Sequence, residues 1–194
     1  MKINNLVLAS SSNYRQALLK KLRVDFTSAC PEIDESALAH ETPPELALRL
    51  SRLKAFALIE KFPEHLIIGS DQVAMLNGTQ LNKPGNRENA IAQLKVASGN
   101  QVSFYTGVCV ANSQTKKCLT DVDICTVFFK PLALKQIEHY VDLDQPYDCA
   151  GGFKSEGLGI ALFEKIQGDD PNALIGLPLI KLIALLAQFG VQVV

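Results

Sequence analysis

The stretch Leu6-Val7-Leu8-Ala9-Ser10-Ser11-Ser12-Asn13-Tyr14-Arg15 decides how the first part of this chain folds. An apolar run typical of a buried strand leads into three serines, and an amphipathic segment that ends near Leu22 follows them. Ser12 is suited to cap a helix there, because its hydroxyl can accept a hydrogen bond from a backbone N–H of the first turn. The unpaired N–H groups and the positive end of the helix dipole then face outward beside Ser10 and Arg15, which favours a phosphate.

A capped helix after a strand also forms without any ligand, and for this pattern taken alone that is the commoner explanation. A Walker loop is excluded, because the glycines and the terminal Gly-Lys-Ser/Thr are missing. The phosphate interpretation therefore depends on the carboxylates and lysines that follow along the chain.

Helical and strand patterns alternate along the rest of the sequence, which is typical of an α/β fold. Leu66-Ile67-Ile68 is a continuous apolar run of the kind found in a strand buried on both faces, and Asn77-Gly78 indicates a hairpin turn. We expect a mixed, twisted sheet in two lobes around a central cleft. The predicted helices are 12–22, a long one from Thr42, 87–98, 132–141 and 174–189, and the predicted strands are 5–10, 25–29, one from Leu66, 101–112, 118–129 and 160–166.

Length and composition indicate a globular protein, because 194 residues with 47% hydrophobic side chains can bury a full core. We expect a single domain over residues 1–194, formed as one body or as two closely joined lobes. The formal net charge is −1, from 19 basic and 20 acidic residues. This balance argues against nucleic acid as a partner, since nucleic-acid-binding faces are usually basic. A small phosphorylated ligand needs only a few converging cations.

The cysteines and the apolar segments predict a soluble cytoplasmic protein. Five cysteines without a C-x-x-C pair argue against a disulfide framework and favour a reduced compartment. The N-terminus lacks the basic and apolar regions of a signal peptide. The apolar segment 174–189 contains Pro178 and is too short to cross a bilayer, so we expect no membrane partner.

Two sets of carboxylates are candidates for catalysis or metal binding. Asp71 follows the buried apolar run at what we expect to be its carboxyl end, where α/β sheets bind their ligands. There it can act as a general base or a metal ligand, and an aspartate that caps a turn is an equally good explanation. Glu32-Ile33-Asp34-Glu35 places three carboxylates within four positions, and one or two of them could hold Mg²⁺. Taken alone, that segment is better explained as a solvated acidic loop.

Three cations of the sequence are candidates for binding phosphates. Lys54 lies just off the apolar stripe of the long helix, so its amine can reach the edge of the core. Lys83 precedes Pro84, and a proline confines the residue before it to an extended backbone. Together with Arg15, these side chains could neutralise a triphosphate, although each alone is typical of an exposed surface residue.

Short motifs spread over nearly the whole chain carry a family resemblance. They are Leu8-Ala9-Ser10-Ser11-Ser12 with Arg15, Glu32-Ile33-Asp34-Glu35, Lys54-Ala55, Gly69-Ser70-Asp71-Gln72-Val73, Lys83-Pro84, Ser98-Gly99, Tyr105-Thr106-Gly107, Ala150-Gly151-Gly152-Phe153 and Gly176-Leu177-Pro178-Leu179. In these motifs and their order the chain resembles the Maf family of nucleotide pyrophosphatases, and more closely its branch that acts on 7-methyl-GTP. Asn13, Gln16 and Asn82 depart from the family pattern. A second arginine is common at the position of Gln16, so one phosphate-binding cation is missing here.

The resemblance implies a metal-dependent hydrolase that cleaves the α–β phosphate bond of a nucleoside triphosphate, giving a monophosphate and pyrophosphate. It implies a fold similar to the inosine-triphosphatase-like one, a small-molecule nucleotide as the partner, and a divalent cation, Mg²⁺ or Mn²⁺, as the cofactor. It leaves the oligomeric state open, a homodimer included. By similarity Asp71 is the proton acceptor and, together with Glu35, holds the metal. The residues that the resemblance assigns to the phosphates are Ser10, Arg15, Lys54 and Lys83.

Tyr14, Gln72 and Glu156 are similar to the positions that set substrate specificity in the family. A 7-methylguanine ring carries positive charge and should stack on the face of Tyr14, a cation–π contact worth roughly 0.5–2 kcal/mol. The carboxylate of Glu156 offers two acceptors, which match the N1–H and the exocyclic amine of guanine. Without the resemblance, a core tyrosine and an exposed loop glutamate are the simpler explanations of these two residues.

Two other functions stay open at this point. One is a pyrophosphatase of the same family that acts on dTTP or UTP, in which the position of Glu156 resembles a glutamine. The other is a nucleotide-binding regulator of septum formation, a role also linked to the family, with little or no catalysis.

Overall fold

The computed structural model describes residues 5–194, in which helices and strands alternate along most of the chain. Its helices are α1 (Asn13–Lys20), α2 (Pro43–Phe56), α3 (Arg87–Ala97), α4 (Leu134–Asp144) and α5 (Leu179–Gln188). Its strands are β1 (Leu6–Ala9), β2 (Thr27–Ala29), β3 (Leu66–Leu76), β4 (Thr79–Leu81), β5 (Gln101–Asn112), β6 (Cys118–Phe129) and β7 (Phe163–Gln167). The predicted α/β fold is confirmed.

The strands form one mixed sheet in the order β2-β1-β3-β5-β6-β7, and β4 pairs with β3. β1 is parallel to both β2 and β3, whereas the β3–β4 and β6–β7 pairs are antiparallel. Asn77 and Gly78 connect β3 to β4 with φ values of 50° and 79°, as a type I′ hairpin turn requires. The predicted mixed sheet and the predicted hairpin turn are both confirmed.

The chain divides into two compact units. The first contains the residues up to Gln72, Tyr105–Asp123 and Asp170–Val194, and the second contains Val73–Phe104 and Ile124–Asp169. Strands β3, β5 and β6 contribute residues to both units, so these boundaries lie inside strands and not in linkers. The predicted pair of lobes corresponds to these units, while the central cleft and the single domain stay predictions.

Alternate residues of β1 pack into two different hydrophobic clusters of the first unit, because successive side chains of a strand point to opposite faces. Leu6 and Leu8 lie in a cluster with residues of α1 and α5, and Val7 and Ala9 lie in a cluster with Ala55 of α2. All four β1 side chains are at most 2% exposed. Helices thus cover both faces of this part of the sheet, which explains the uninterrupted apolar runs of β1 and β3.

Four phenylalanines pack together in the second unit. Phe104, Phe129, Phe153 and Phe163 form edge-to-face pairs with ring centroids 4.9–5.5 Å apart. Gly151 lies against them with a φ of 83°, and a Cβ at this position would be 3.2 Å from the Phe153 ring. The motif Ala150-Gly151-Gly152-Phe153 is therefore part of the packing of this unit.

Several predicted boundaries differ from the observed ones. The C-terminal helix begins at Leu179 and not at residue 174, because Gly176 has a φ of 122° and Pro178 disfavours a helical residue before it. The strand predicted for 160–166 begins only at Phe163, after a 3₁₀ turn at Leu158–Leu162. α4 begins and ends two to three residues later than predicted. Within residues 5–194 no helix is both long and apolar enough to cross a membrane.

Candidate active site

Two glycines let α2 lie directly against strands of the first unit. A Cβ added to Gly69 of β3 would be 2.0 Å from the carbonyl oxygen of Ser51, and one added to Gly107 of β5 would be 2.3 Å from that of Ala47. Both distances are far below van der Waals contact, so a larger residue at either strand position would push the helix away. This close approach places Lys54 of α2 beside the residues that follow Gly69.

Lys54 joins the two carboxylates to which the resemblance assigns catalysis and metal binding. Its Nζ lies 2.5 Å from Oδ1 of Asp71 and 2.7 Å from Oε1 of Glu35. The side chains of Lys54 and Asp71 are only 8% and 10% exposed, whereas that of Glu35 is 59% exposed. Glu35 belongs to a segment without regular secondary structure. One ammonium group therefore brings together a buried carboxylate from the sheet and an exposed one from a loop.

Asp71 lies inside β3, so the prediction that it follows the end of its strand is wrong. β3 continues to Leu76 because its second half pairs with β4. The parallel pairing of β1 with β3, however, ends at Ala9 and Gly69. Asp71 thus lies just beyond the carboxyl end of a parallel neighbour, which is the part of an α/β sheet where ligands bind.

The predicted cap at the start of α1 is confirmed. The Oγ of Ser12 accepts a hydrogen bond from the backbone N–H of Arg15 at 3.4 Å. Two residues before this cap, the Oγ of Ser10 accepts from the N–H of Ser12 at 3.1 Å, and Ser10 is only 5% exposed. The serines therefore fix the turn between β1 and α1, from which Arg15 extends.

Arg15 is half-buried and has an acceptor from the far end of the chain. Its Nε donates a hydrogen bond to the carbonyl oxygen of Gly176 at 2.8 Å. Burial lowers the pKa of the Arg15 guanidinium from its ordinary value, and the negative charges of Asp71 and Glu35 act in the opposite direction. Arg15 is therefore close enough to these carboxylates to interact with them electrostatically.

Ser70 and Gly176 had no predicted roles, although both stand in motifs of the family. Ser70 is fully buried, and its Oγ lies 2.8 Å from the carbonyl oxygen of Gly107 and 3.0 Å from that of Gly176. The Gly176 carbonyl thus lies within hydrogen-bond distance of both Ser70 and Arg15. With its φ of 122°, Gly176 has a backbone conformation that residues other than glycine rarely adopt.

Gln72 is a predicted specificity residue, and its side-chain amide nitrogen contacts other residues of this chain. The Nε2 atom lies 2.9 Å from the carbonyl oxygen of Ala173, 3.0 Å from that of Leu174 and 3.0 Å from Oγ1 of Thr106. Thr106 is fully buried and donates in turn to the Ala173 carbonyl at 2.9 Å. A contact of Gln72 with a base stays a prediction.

A buried aspartate fixes the start of the loop that contains Ala173 and Leu174. Asp170 is 1% exposed, and its carboxylate accepts from the backbone N–H of Ile180 in the first turn of α5 at 2.7 Å. It also accepts from the backbone N–H and the side-chain amide of Asn172, each at 2.8 Å. A carboxylate at this end of a helix satisfies an unpaired N–H and complements the helix dipole. We call residues 170–177 the anchor loop.

The roles predicted for Tyr14, Lys83 and Glu156 remain predictions. Tyr14 is half-buried in the first turn of α1. Lys83 and Glu156 are exposed residues of the second unit. The carbonyl groups on either side of Lys83 accept hydrogen bonds from side-chain amides of α3, each at 2.9 Å, so the backbone around this lysine is fixed.

Glu35 and Asp71 fit the divalent cation that the resemblance implies. Mg²⁺ is usually held by one or two carboxylates together with waters and substrate phosphates, and these two carboxylates already share one cationic group, the Lys54 ammonium. Among residues 5–194 there is no group of three or more His, Cys, Asp and Glu side chains that could hold a metal ion. A metal at Glu35 and Asp71 would therefore take its remaining oxygen ligands from water or from the substrate.

Comparisons with known proteins agree on the kind of protein. The model of a family described as "Maf-like protein" matches residues 5–189. A 7-methyl-GTP pyrophosphatase of Pseudoalteromonas translucida is 54% identical over 188 residues, which are 97% of this chain and 93% of that relative. A protein of the same name from Vibrio vulnificus is 53% identical over 193 residues, which are 100% and 99% of the two chains.

The matches among solved structures include a nucleoside-triphosphatase / dITP/XTP pyrophosphatase from Mycobacterium abscessus, with 14% identity and a TM-score of 0.41 over 66% of this chain and 74% of that one. At that TM-score the match carries no inference about this chain.

Proposed function

The chain belongs to the Maf family, and we propose that it is a pyrophosphatase that converts 7-methyl-GTP and water to 7-methyl-GMP and pyrophosphate. Relatives of that name, 53–54% identical over nearly the whole chain, support this substrate. The observation that carries the proposal is the cluster of Lys54, Asp71 and Glu35 with the charge of Arg15 nearby. Such a cluster combines a base, a pair of metal-binding carboxylates and two cations for phosphates.

Asp71 is the proposed base. Its carboxylate is buried just beyond the end of β1, and the ion pair with Lys54 at 2.5 Å holds it in place. In the reaction it accepts a proton from the attacking water. The water oxygen forms a bond to the α-phosphorus. The bond from the α-phosphorus to the oxygen that bridges the α- and β-phosphates breaks, and pyrophosphate leaves with the electrons of that bond.

The cations bind the phosphates and stabilise the charge that develops on them. Lys54 is buried and Arg15 is half-buried, and in such positions a charge interacts more strongly than in water. Because the Nε of Arg15 donates to Gly176, its terminal N–H groups would be the ones that bind a phosphate. Ser10 and Lys83 complete the proposed phosphate-binding set. Glu35 and Asp71 would hold Mg²⁺ or Mn²⁺, which polarises phosphate oxygens when bound.

In this proposal Tyr14 and Glu156 recognise the nucleobase of the substrate. The positively charged 7-methylguanine stacks on the Tyr14 ring, and methylation at N7 makes N1–H a better donor to the Glu156 carboxylate. A pyrimidine has no matching pair of donors at this edge. These two contacts would therefore favour 7-methyl-GTP over dTTP and UTP.

A nucleotide panel with Mg²⁺ tests the proposal. 7-Methyl-GTP should be hydrolysed faster than GTP, UTP and dTTP at equal concentrations. Faster hydrolysis of dTTP or UTP would assign the chain to the other branch of the family, and tight binding without hydrolysis would favour the regulator of septum formation. Asp71→Asn, purified in parallel, is the control that separates the activity of this chain from that of a contaminating phosphatase.

A further inference from the structure

The orientation of Arg15 depends on a backbone carbonyl of the anchor loop. The Nε of Arg15 donates to Gly176 at 2.8 Å, and a guanidinium is planar, so this bond also sets the direction of its terminal N–H groups. A displacement of Gly176 would therefore turn the groups with which Arg15 binds a phosphate. The Ser70 hydroxyl lies 3.0 Å from the same carbonyl, and other side chains hold the loop that carries Gly176.

The anchor loop is held a few residues before Gly176 by Gln72 and Thr106. Their amide and hydroxyl donate to the carbonyls of Ala173 and Leu174 at 2.9–3.0 Å. Ala173 and Leu174 are at most 6% exposed. Without Gln72 the Leu174 carbonyl would lose its donor in the interior, whereas the Ala173 carbonyl would keep only the backbone N–H of Gly176, at 2.9 Å, once both side chains are lost. The loop would then shift to find other donors, and Gly176 would move with it.

The amide nitrogen of Gln72 is fully used by these contacts. A side-chain amide has only two N–H hydrogens, and three oxygens already lie within 3.0 Å of Nε2. Its donor side therefore has no hydrogen left for a nucleotide base while the loop is in place. A residue at this position can still change how substrates bind, because it holds the loop.

We propose that Gln72 and Thr106 are positioning residues that orient Arg15 through the anchor loop and thereby set how tightly phosphates bind, whatever base they carry. The proposal rests on the proposed function, in which Arg15 binds a phosphate. It predicts that disturbing Gln72 or Thr106 weakens the binding of inorganic pyrophosphate, which has no base. If Gln72 instead contacted the nucleobase directly, its replacement would change the preference of the enzyme among nucleotides.

Matched variants of Thr106 provide the test. Thr106→Val keeps the size of the side chain and removes the hydroxyl, whereas Thr106→Ser keeps the hydroxyl. Binding of pyrophosphate in the presence of Mg²⁺, measured by calorimetry, should weaken roughly tenfold in T106V and in Gln72→Leu, and T106S should bind within about twofold of wild type. KM should rise by a similar factor for 7-methyl-GTP, GTP and UTP, while kcat changes less.

A double-mutant cycle with Arg15→Ala shows whether the effect passes through the arginine. In the R15A chain, T106V should weaken pyrophosphate binding no further, because the group that it misdirects is already absent. An equal loss in both backgrounds would overturn the proposal. So would a Gln72→Leu variant that binds pyrophosphate like wild type but prefers a different nucleotide. If the pyrophosphate results hold and wild type hydrolyses no 7-methyl-GTP, the inference stands and the proposed substrate falls.

Discussion

Replacement of Lys54 by methionine should destabilise the protein and also strengthen its binding of a divalent cation. Methionine retains most of the volume of this lysine, whose side chain is 8% exposed, so the main loss is the charge. Asp71, 10% exposed, loses an ammonium group that lies 2.5 Å away. Removal of one partner from a buried ion pair costs about 3–5 kcal/mol when the other charge stays buried without compensation, and the nearby charge of Arg15 favours the lower end of this range. Glu35 is 59% exposed and adds little to this cost.

Calorimetry without nucleotide measures both effects. A chain of this size loses about 2–4 °C in Tm per kcal/mol, so K54M should unfold roughly 6–20 °C below wild type in EDTA. Mn²⁺ should then raise the Tm of K54M more than that of wild type, because a ligand stabilises in proportion to RT ln(1 + [L]/Kd) and the competing ammonium is gone. Lys83→Met is the matched control, since Lys83 is exposed and lies in the other unit.

Two results would refute this reasoning. An unfolding temperature of K54M close to that of wild type would show that the Lys54–Asp71 pair contributes little to stability. Equal stabilisation of both proteins by Mn²⁺ would show that Glu35 and Asp71 are not the cation site. The double variant K54M/D71N gives a further check, because it removes both charges of the Lys54–Asp71 pair and should recover much of the lost stability.

The remaining predictions concern the reaction and its substrate. Asp71→Asn should lower kcat by roughly 10²-fold or more while nucleotide binding persists, and turnover close to wild type would remove Asp71 from the mechanism. Pyrophosphate should be the first product and EDTA should abolish activity; release of orthophosphate first would contradict cleavage at the α–β bond. Tyr14→Ala should lower kcat/KM for 7-methyl-GTP about tenfold, and an unchanged value would exclude stacking. Glu156→Gln should reduce the preference for methylguanine over GTP, because an amide adds a donor that opposes the guanine edge.

Local patterns in the sequence were sufficient to predict most of the fold. The alternation of apolar runs with helical periodicity, the cap at Ser12 and the Asn77-Gly78 turn are all features of neighbouring residues, and the structure contains each of them. The errors arose where distant segments decide. β3 extends past Asp71 because β4 pairs with it, and the C-terminal helix starts late because of the backbone at Gly176.

The candidate site could be predicted as a set of residues but not as an arrangement. Lys54 was expected at the edge of the core, yet its contact with both Asp71 and Glu35 depends on the glycines that bring α2 against the strands. The roles of Ser70 and Thr106 could not be predicted, because their acceptors are backbone carbonyls. Every residue has a backbone carbonyl, so the sequence does not indicate which one accepts the bond. Only the family motifs that contain these residues indicated that they matter.

The contacts of the anchor loop also determine when the site can form. Arg15 and its acceptor Gly176 are 161 positions apart, and Gln72 and Ala173 are 101 apart. Closing such long loops is entropically costly and slow, so these contacts should form late in folding. On the ribosome, the whole segment between Arg15 and Gly176 is synthesised before the acceptor of Arg15 exists. A nascent chain can therefore assemble much of its sheet while it is still unable to bind a nucleotide through a correctly oriented arginine.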